Sequence, residues 1–133
     1  MVHGIDHIGH AVTDLDAAVE LYRRRYGLEV AHREESETDG VREALLPVGG
    51  SYVQLLEPTR PDSPVARFLE RRGPGLHHLA FAVDSVSGTL AHLTADGAEV
   101  IDREPRVGTA GLTLAFVHPK ATLGNLVELV ERG

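Results

Sequence analysis

The sequence contains no cysteine and no tryptophan, and aromatic residues make up only 5% of it. Without cysteine the chain has no disulfide, no thiolate nucleophile and no thiolate-bound zinc. No run approaches the about 20 apolar residues that a membrane helix needs. The start of the chain also lacks the basic and apolar stretches of a signal peptide. We therefore expect a cytoplasmic enzyme or binding protein that has no membrane partner.

Positive charge is also scarce, and the formal net charge is −7. A nucleic-acid-binding protein needs a basic face, so we expect no nucleic-acid partner. Of the 13 basic residues, Lys120 is the only lysine. With 133 residues, 42% of them hydrophobic, the chain is long enough for one globular domain with a core of its own.

The chain contains an internal repeat. With a shift of 71 residues, HIGHAVTDLDAAVEL at 7–21 aligns with HLAFAVDSVSGTLAH at 78–92. With a shift of 74 residues, VQLLE at 53–57 aligns with VELVE at 127–131. Each half therefore begins with a histidine-bearing strand and ends with a strand that carries Gln54 or Glu128 at the same place.

Hydrophobic periodicity predicts the same βαβββ order in both halves. The first module spans about 5–58 and the second about 76–132, with a linker helix over about 63–72 that begins at Ser63 and Pro64. The predicted strands are 6–12, 28–34, 41–47, 51–57, 77–83, 98–102, 112–118 and 126–131, and the predicted module helices are 15–26 and 86–96.

The two-residue period of a strand separates the adjacent histidines of GLHHLAFAV. His78 shares a face with Ala80 and Ala82, whereas His77 lies on the other. Small residues beside a polar one leave open space, as a concave site requires. His78 and its repeat partner His7 are therefore the functional candidates, and His10, on the bulky face of its strand, is predicted to be structural.

Gln54 and Glu128 interrupt otherwise apolar strands. A single histidine or glutamine in a strand is usually a solvated or satisfied side chain. Four polar positions related by one repeat are better explained by a shared partner, because burying a polar group without one is unfavourable. The set His7, Gln54, His78 and Glu128 predicts a divalent metal site for cobalt, manganese, iron, nickel or zinc.

The segments IDHIGHAVTDLDAAVELYRRRYG, LLEPTRPDSPVARFL, GLHHLAF and HPKATLGNLVEL resemble, in order, those of the methylmalonyl-CoA epimerase family of the vicinal oxygen chelate superfamily. The likeness covers nearly the whole chain. It implies a single α+β domain over residues 1–133 in which two tandem βαβββ modules form an open, cupped eight-stranded mixed sheet.

The resemblance also implies the chemistry, which is epimerisation of methylmalonyl-CoA by metal-assisted proton abstraction at C2. It implies metal ligands at His7, Gln54, His78 and Glu128, and a Co²⁺ ion for which Mn²⁺, Ni²⁺, Zn²⁺ or Fe²⁺ are alternatives. Glu43 is implied as one base, Glu128 as the second, and the assembly as a homodimer. The acyl-CoA substrate should meet positive charge, for which Lys120, Arg103 and Arg106 are candidates.

Other readings stay open at this point. A glyoxalase I-like isomerase, or an epimerase of a related 2-substituted malonyl-CoA, would use a similar metal site. An Fe(II) dioxygenase would need only His7, His78 and Glu128, and Gln54 would fill a position that its chemistry needs open. A metal-free drug-binding module of the same fold would lack the ligand set and be rich in aromatic residues.

Overall fold

The computed structural model describes residues 1–132, which contain eight strands and three α-helices in the order βαβββ, α, βαβββ. The elements are β1 (Val2–Ala11), α1 (Leu15–Tyr26), β2 (His32–Ser36), β3 (Val41–Val48), β4 (Ser51–Pro58), α2 (Pro64–Arg72), β5 (Gly75–Val83), α3 (Val86–Ala95), β6 (Arg106–Val107), β7 (Thr113–Val117) and β8 (Val127–Glu131). Two short 3₁₀ helices, Thr109–Gly111 and Pro119–Thr122, flank β7. No helix in residues 1–132 is both long and apolar enough to cross a membrane.

The strands form one mixed sheet in the order β2-β3-β4-β1-β5-β8-β7-β6. The first and last strands of each module are parallel neighbours, β1 beside β4 and β5 beside β8. The ladders β2–β3, β3–β4, β6–β7 and β7–β8 are antiparallel. The predicted α+β class with an eight-stranded mixed sheet is confirmed.

The chain forms two compact units. The first unit, His7–His77, holds β1 from His7 onward, α1, β2, β3, β4, α2 and the first residues of β5. On one face of its strands, α1 covers a core that includes Leu15, Ala44 and Leu55. On the other face, α2 covers a smaller cluster around Val65 and Leu56. The rest of that second face carries the polar side chains of the site.

The second unit consists of Met1–Asp6 and the chain from His78 onward. Its core packs α3 against β5, β7 and β8 and includes Val83, Val86 and Leu129. The start of β1 is fixed to this unit by an ion pair, in which Nε of the exposed Arg132 donates to Oδ1 of the buried Asp6 at 2.5 Å.

The helix ends follow the local sequence signals. Asp14 caps the start of α1 by accepting the amide of Ala17, and Gly27 ends the helix with a φ of 70°. Ser63 caps α2 by accepting the amide of Ala66, with Pro64 in the first turn. Helix α1 has the bounds that the sequence predicts, and α2 lies in the predicted linker.

The prediction of a strand over 98–102 is wrong. In this segment Val100 makes only an isolated bridge to Val117. The amides of Ile101 and Asp102 both donate to the carbonyl of Phe116, and Asp102 Oδ2 accepts the Phe116 amide at 2.8 Å. The Asp102 carboxylate thus occupies the Phe116 amide, which a continuing β-ladder would need. The edge strand forms further along the chain, as the two-residue β6, which the sequence analysis did not predict.

Glutamates at the ends of β4 and β8 bind helix N-termini in the same way in both modules. Glu57 Oε1 accepts the amide of Leu15 at 2.7 Å, and Glu131 Oε1 accepts the amide of Val86 at 2.8 Å. A carboxylate at this position satisfies an otherwise unpaired helix amide and interacts favourably with the positive end of the helix dipole. The last residues of VQLLE and VELVE therefore fix α1 and α3 to the sheet.

Replacing Glu131 by alanine is expected to lower the free energy of unfolding by about 1–2 kcal/mol, because the Val86 amide loses its acceptor. Glu131→Gln keeps an acceptor oxygen and should lose clearly less. Urea unfolding followed by circular dichroism measures both changes. An alanine variant as stable as the wild type would show that this contact does not hold α3.

Candidate metal and proton-transfer site

The five polar residues implied for the site are all buried. Their exposed fractions are 5% for His7, 2% for Glu43, 5% for Gln54, 8% for His78 and 6% for Glu128. Each lies on a regular strand, where the backbone amides and carbonyls are paired within the sheet. Polar side chains buried in such strands need partners of their own.

The strand register places a histidine and a polar residue in the same relation in both modules. Gly9 on β1 pairs with Gln54 on β4, and Ala80 on β5 pairs with Glu128 on β8. His7 and His78 each precede the small residue of that pair by two positions, and so lie on its face. Gly9 and Ala80 are thus the small residues that the sequence places on this face beside the polar ones.

In the second unit, His78 and Glu128 contact each other. His78 Nε2 lies 3.1 Å from Glu128 Oε1, and the ring of Phe116 meets the His78 ring edge-on with centroids 5.7 Å apart. Adjacent ligand atoms about 2.1 Å from one ion are separated by about 3 Å. The spacing of this pair therefore fits joint coordination.

In the first unit, Gln54 and Glu43 form a second buried pair. Gln54 Nε2 donates to Glu43 Oε2 at 2.8 Å. This contact fixes the orientation of the amide, because a flipped amide would place its oxygen against the carboxylate. Gln54 Oε1 is buried and has no hydrogen-bond partner among the described residues.

His7 of the first unit and His78 and Glu128 of the second are all buried, and each offers a ligand atom for a metal ion. The second unit thus has a buried His/Glu pair of the kind that could bind a metal ion, and the first unit has a buried histidine at the corresponding position. Two imidazoles and one carboxylate are a borderline donor set suited to first-row divalent metals. In the first unit, Gln54 Oε1, which has no hydrogen-bond partner among the described residues, is an oxygen of the kind that such metals accept.

The two histidines that the sequence analysis assigned to the other strand faces, His10 and His77, pack against helices. His10 shares a 2.8 Å hydrogen bond with the Tyr22 hydroxyl of α1, on the opposite face of β1 from His7. Burial lowers the pKa of His10, which keeps its ring neutral and suits a packing role. The ring of His77 packs edge-on against Phe68 of α2, at 5.1 Å between centroids.

The three basic candidates differ in their surroundings. Lys120 and Arg103 are exposed, whereas Arg106 is half-buried. The guanidinium carbon of Arg106 lies 5.6 Å from the centre of the Phe116 ring. Of the three, Arg106 is thus the one whose packing connects it to the His78–Glu128 pair.

A pair that the sequence analysis missed lies beside Glu43. Glu34 on β2 is directly opposite Glu43 in the ladder, and its Oε1 lies 2.9 Å from His32 Nε2. The period of two in HREES places both side chains on one face. That Glu34 lies opposite Glu43 follows from the register of β2 against β3. The predicted strand over 28–34 did not fix this register.

Comparison with known proteins gives consistent matches. The model of the Glyoxalase/Bleomycin resistance protein/Dioxygenase superfamily matches residues 6–116. An uncharacterized Bacillus subtilis protein is 42% identical over 96% of this chain and 91% of its own length. The ethylmalonyl-CoA/methylmalonyl-CoA epimerase of Cereibacter sphaeroides is 34% identical over 97% of this chain and 98% of its own length.

A solved structure of a methylmalonyl-CoA epimerase in complex with methylmalonyl-CoA and NH4+ is also similar. It is 47% identical and superposes with a TM-score of 0.97 over 100% of this chain and 96% of its own.

His78→Ala is expected to abolish binding of Co²⁺, whereas His77→Ala is expected to retain it, because only His78 lies beside Glu128. His10→Ala is a second control on the opposite face of β1. Metal content after Co²⁺ loading and dialysis, measured by mass spectrometry, checks all three variants. If His77→Ala released the metal and His78→Ala kept it, the assignment of strand faces would be wrong.

Proposed function

The chain belongs to the methylmalonyl-CoA epimerase family within the Glyoxalase/Bleomycin resistance protein/Dioxygenase superfamily, and from this premise we propose that it interconverts (2R)- and (2S)-methylmalonyl-CoA. The observation that carries the proposal is that the chain buries a His78–Glu128 pair in one unit and a Gln54–Glu43 pair in the other. The cluster supplies metal ligands and Glu43 supplies a carboxylate base.

Four residues, His7, Gln54, His78 and Glu128, would hold the ion. The fit is supported by Gln54, whose buried Oε1 lacks a hydrogen-bond partner among the described residues and is available as a ligand. When bound, a divalent metal acts as a Lewis acid that stabilises negative charge on the thioester oxygen. We propose Co²⁺ as the ion, with Mn²⁺, Ni²⁺, Zn²⁺ or Fe²⁺ as alternatives.

Glu43 is the proposed base that removes the C2 proton. The carboxylate accepts a hydrogen bond from Gln54 Nε2, which fixes the position of one of its oxygens. Leu56 pairs with Glu43 on the neighbouring strand, and together with burial this keeps water away from the carboxylate. Fixing a base in this way reduces the entropy lost on reaching the transition state.

Epimerisation also needs a proton donor for the opposite face of C2, and we propose Glu128 for this role. Its carboxylate is held by His78 at 3.1 Å. Because the interconversion is reversible, Glu128 would start one direction protonated and give that proton to C2, and would take the C2 proton in the other direction, with Glu43 in the complementary protonation state. The register position corresponding to Glu43 in the second unit carries Leu114, so the repeat does not supply a second base there.

A related substrate, ethylmalonyl-CoA, is a second candidate because the Cereibacter sphaeroides relative is named for both acyl-CoA esters. The same proton transfer would apply to either. A metal-free binding module would have no use for a buried pair of metal-ligand side chains such as His78 and Glu128, 3.1 Å apart.

The remaining features of the proposal come from the family resemblance. We propose a cytoplasmic homodimer, with Lys120 and Arg103, which are exposed, near the phosphates of CoA. Light scattering coupled to gel filtration tests the oligomeric state.

Proton NMR of one methylmalonyl-CoA epimer in D2O tests the reaction. With Co²⁺-loaded protein we expect deuterium to replace the C2 proton and the other epimer to appear, and both changes should stop after treatment with EDTA. Exchange without racemisation would indicate a single working base and would remove Glu128 from its role. No exchange by the loaded protein would contradict the proposed function.

Glu43→Gln should lower the epimerisation rate by at least about 100-fold while the metal content stays the same, because general bases contribute about 10²–10⁴-fold. Glu35→Gln, one strand away and on the opposite face of the sheet, is the matched control for a change of one carboxylate. The same NMR assay and a metal determination measure both variants. Normal turnover by Glu43→Gln would show that Glu43 is not the base.

A further inference from the structure

A two-base epimerisation leaves the enzyme in a different protonation state from the one in which it began. In the direction that Glu43 starts as the base, its carboxylate ends the turnover as a carboxylic acid, and Glu128 ends it without its proton. Before the next turnover in the same direction, Glu43 has to lose this proton to solvent. Glu43 is only 2% exposed, so the proton needs a neighbouring group to carry it to water.

Of the four nearest positions on its face of the sheet, one gives Glu43 a neighbour that can accept a proton. These positions are Val41 and Leu45 on β3, Leu56 on β4 and Glu34 on β2. Directly opposite residues of an antiparallel pair have Cβ atoms about 4.5–5.5 Å apart. Two glutamate side chains at that separation can meet directly or through one bridging water. Glu34 is therefore placed to take a proton from Glu43.

His32 continues this path toward solvent. Its Nε2 lies 2.9 Å from Glu34 Oε1, and the side chains of Glu34 and His32 are 30% and 41% exposed. Exposure thus rises at each step from Glu43 to Glu34 to His32. An imidazole ring can take up a proton at one nitrogen and release one from the other, which makes histidine a proton shuttle in many enzymes.

We propose that Glu34 and His32 carry protons between Glu43 and bulk water, and so return Glu43 to its starting state after each turnover. The Glu43 carboxyl group gives its proton to the Glu34 carboxylate, Glu34 gives a proton to the neutral His32 ring, and the imidazolium gives one to water. Glu34 and His32 then have the charges with which they began, and Glu43 is a carboxylate again. The inference rests on the proposed function, and the reverse path supplies Glu43 with a proton for the opposite direction.

The test separates net conversion from exchange between the two epimers. Net conversion of pure (2R)-methylmalonyl-CoA at saturating concentration requires Glu43 to return to its starting state after every turnover. Exchange at equilibrium does not, because the enzyme form left by one direction is the form that begins the other. Exchange is followed with a trace of ¹³C-labelled (2R)-epimer added to an equilibrated mixture.

Both rates are measured for Co²⁺-loaded wild type, Glu34→Gln and His32→Asn. Glu35→Gln is the matched control, because Glu35 is the next residue of β2, lies on the other face of the sheet and pairs with Arg42. Metal content and thermal unfolding establish that each variant is folded and loaded.

Glu34→Gln should lower the net rate at saturation by at least about 10-fold, because an amide does not relay the proton. It should leave the exchange rate at equilibrium unchanged. His32→Asn should lower the net rate less, since the Glu34 side chain is itself partly exposed, and Glu35→Gln should change neither rate. If Glu34→Gln did not fold or load, the two rates of His32→Asn would decide the matter.

An unchanged net rate in folded, loaded Glu34→Gln would overturn the inference. An equal fall in net conversion and in exchange would also overturn it, because it would show that Glu34 supports Glu43 itself without carrying its proton. These outcomes are distinct from failure of the proposed function, which the NMR assay reports on the wild type independently.

Discussion

The site depends on one constraint, which is that polar side chains buried in a sheet must find partners. His7, His78, Glu128 and Gln54 each occupy an inward position of a strand whose neighbouring residues are small or apolar. Hydrogen bonds within the chain satisfy part of this requirement, through His78–Glu128 and Gln54–Glu43. Gln54 Oε1 has no hydrogen-bond partner among the described residues. A cation bound beside this buried oxygen would satisfy it.

The two modules meet this constraint in related ways and then diverge. Gln54 pairs with Leu45 on β3, and Glu128 pairs with Phe116 on β7. Two positions further along, the first unit has Glu43 opposite Glu34, and the second has Leu114 opposite Arg106. Duplication thus accounts for the shared ligand positions. Divergence gives one module an acidic pair and the other an arginine at this register position.

How much the sequence predicts depends on how local each signal is. The assignment of His78 rather than His77 to the site needed only the two-residue period of a strand, and α1 needed only Asp14, its apolar stripe and Gly27. The segment 98–102 was wrongly predicted because the outcome depends on a tertiary hydrogen bond from the Phe116 amide to Asp102. Likewise, nothing in the local pattern distinguishes half-buried Arg106 from exposed Arg103, since the difference arises from packing on Phe116.

Gln54 is the residue whose chemistry is hardest to replace. A neutral amide is a weaker metal ligand than a carboxylate, and a glutamate at this position would complete an acidic ligand pair with Glu128. It would also place a second carboxylate 2.8 Å from Glu43, where like charges oppose each other. The amide avoids this conflict because it carries both an acceptor and a donor. Oε1 is left for a cation while Nε2 donates to Glu43, so in the proposed mechanism one side chain joins the metal site to the base.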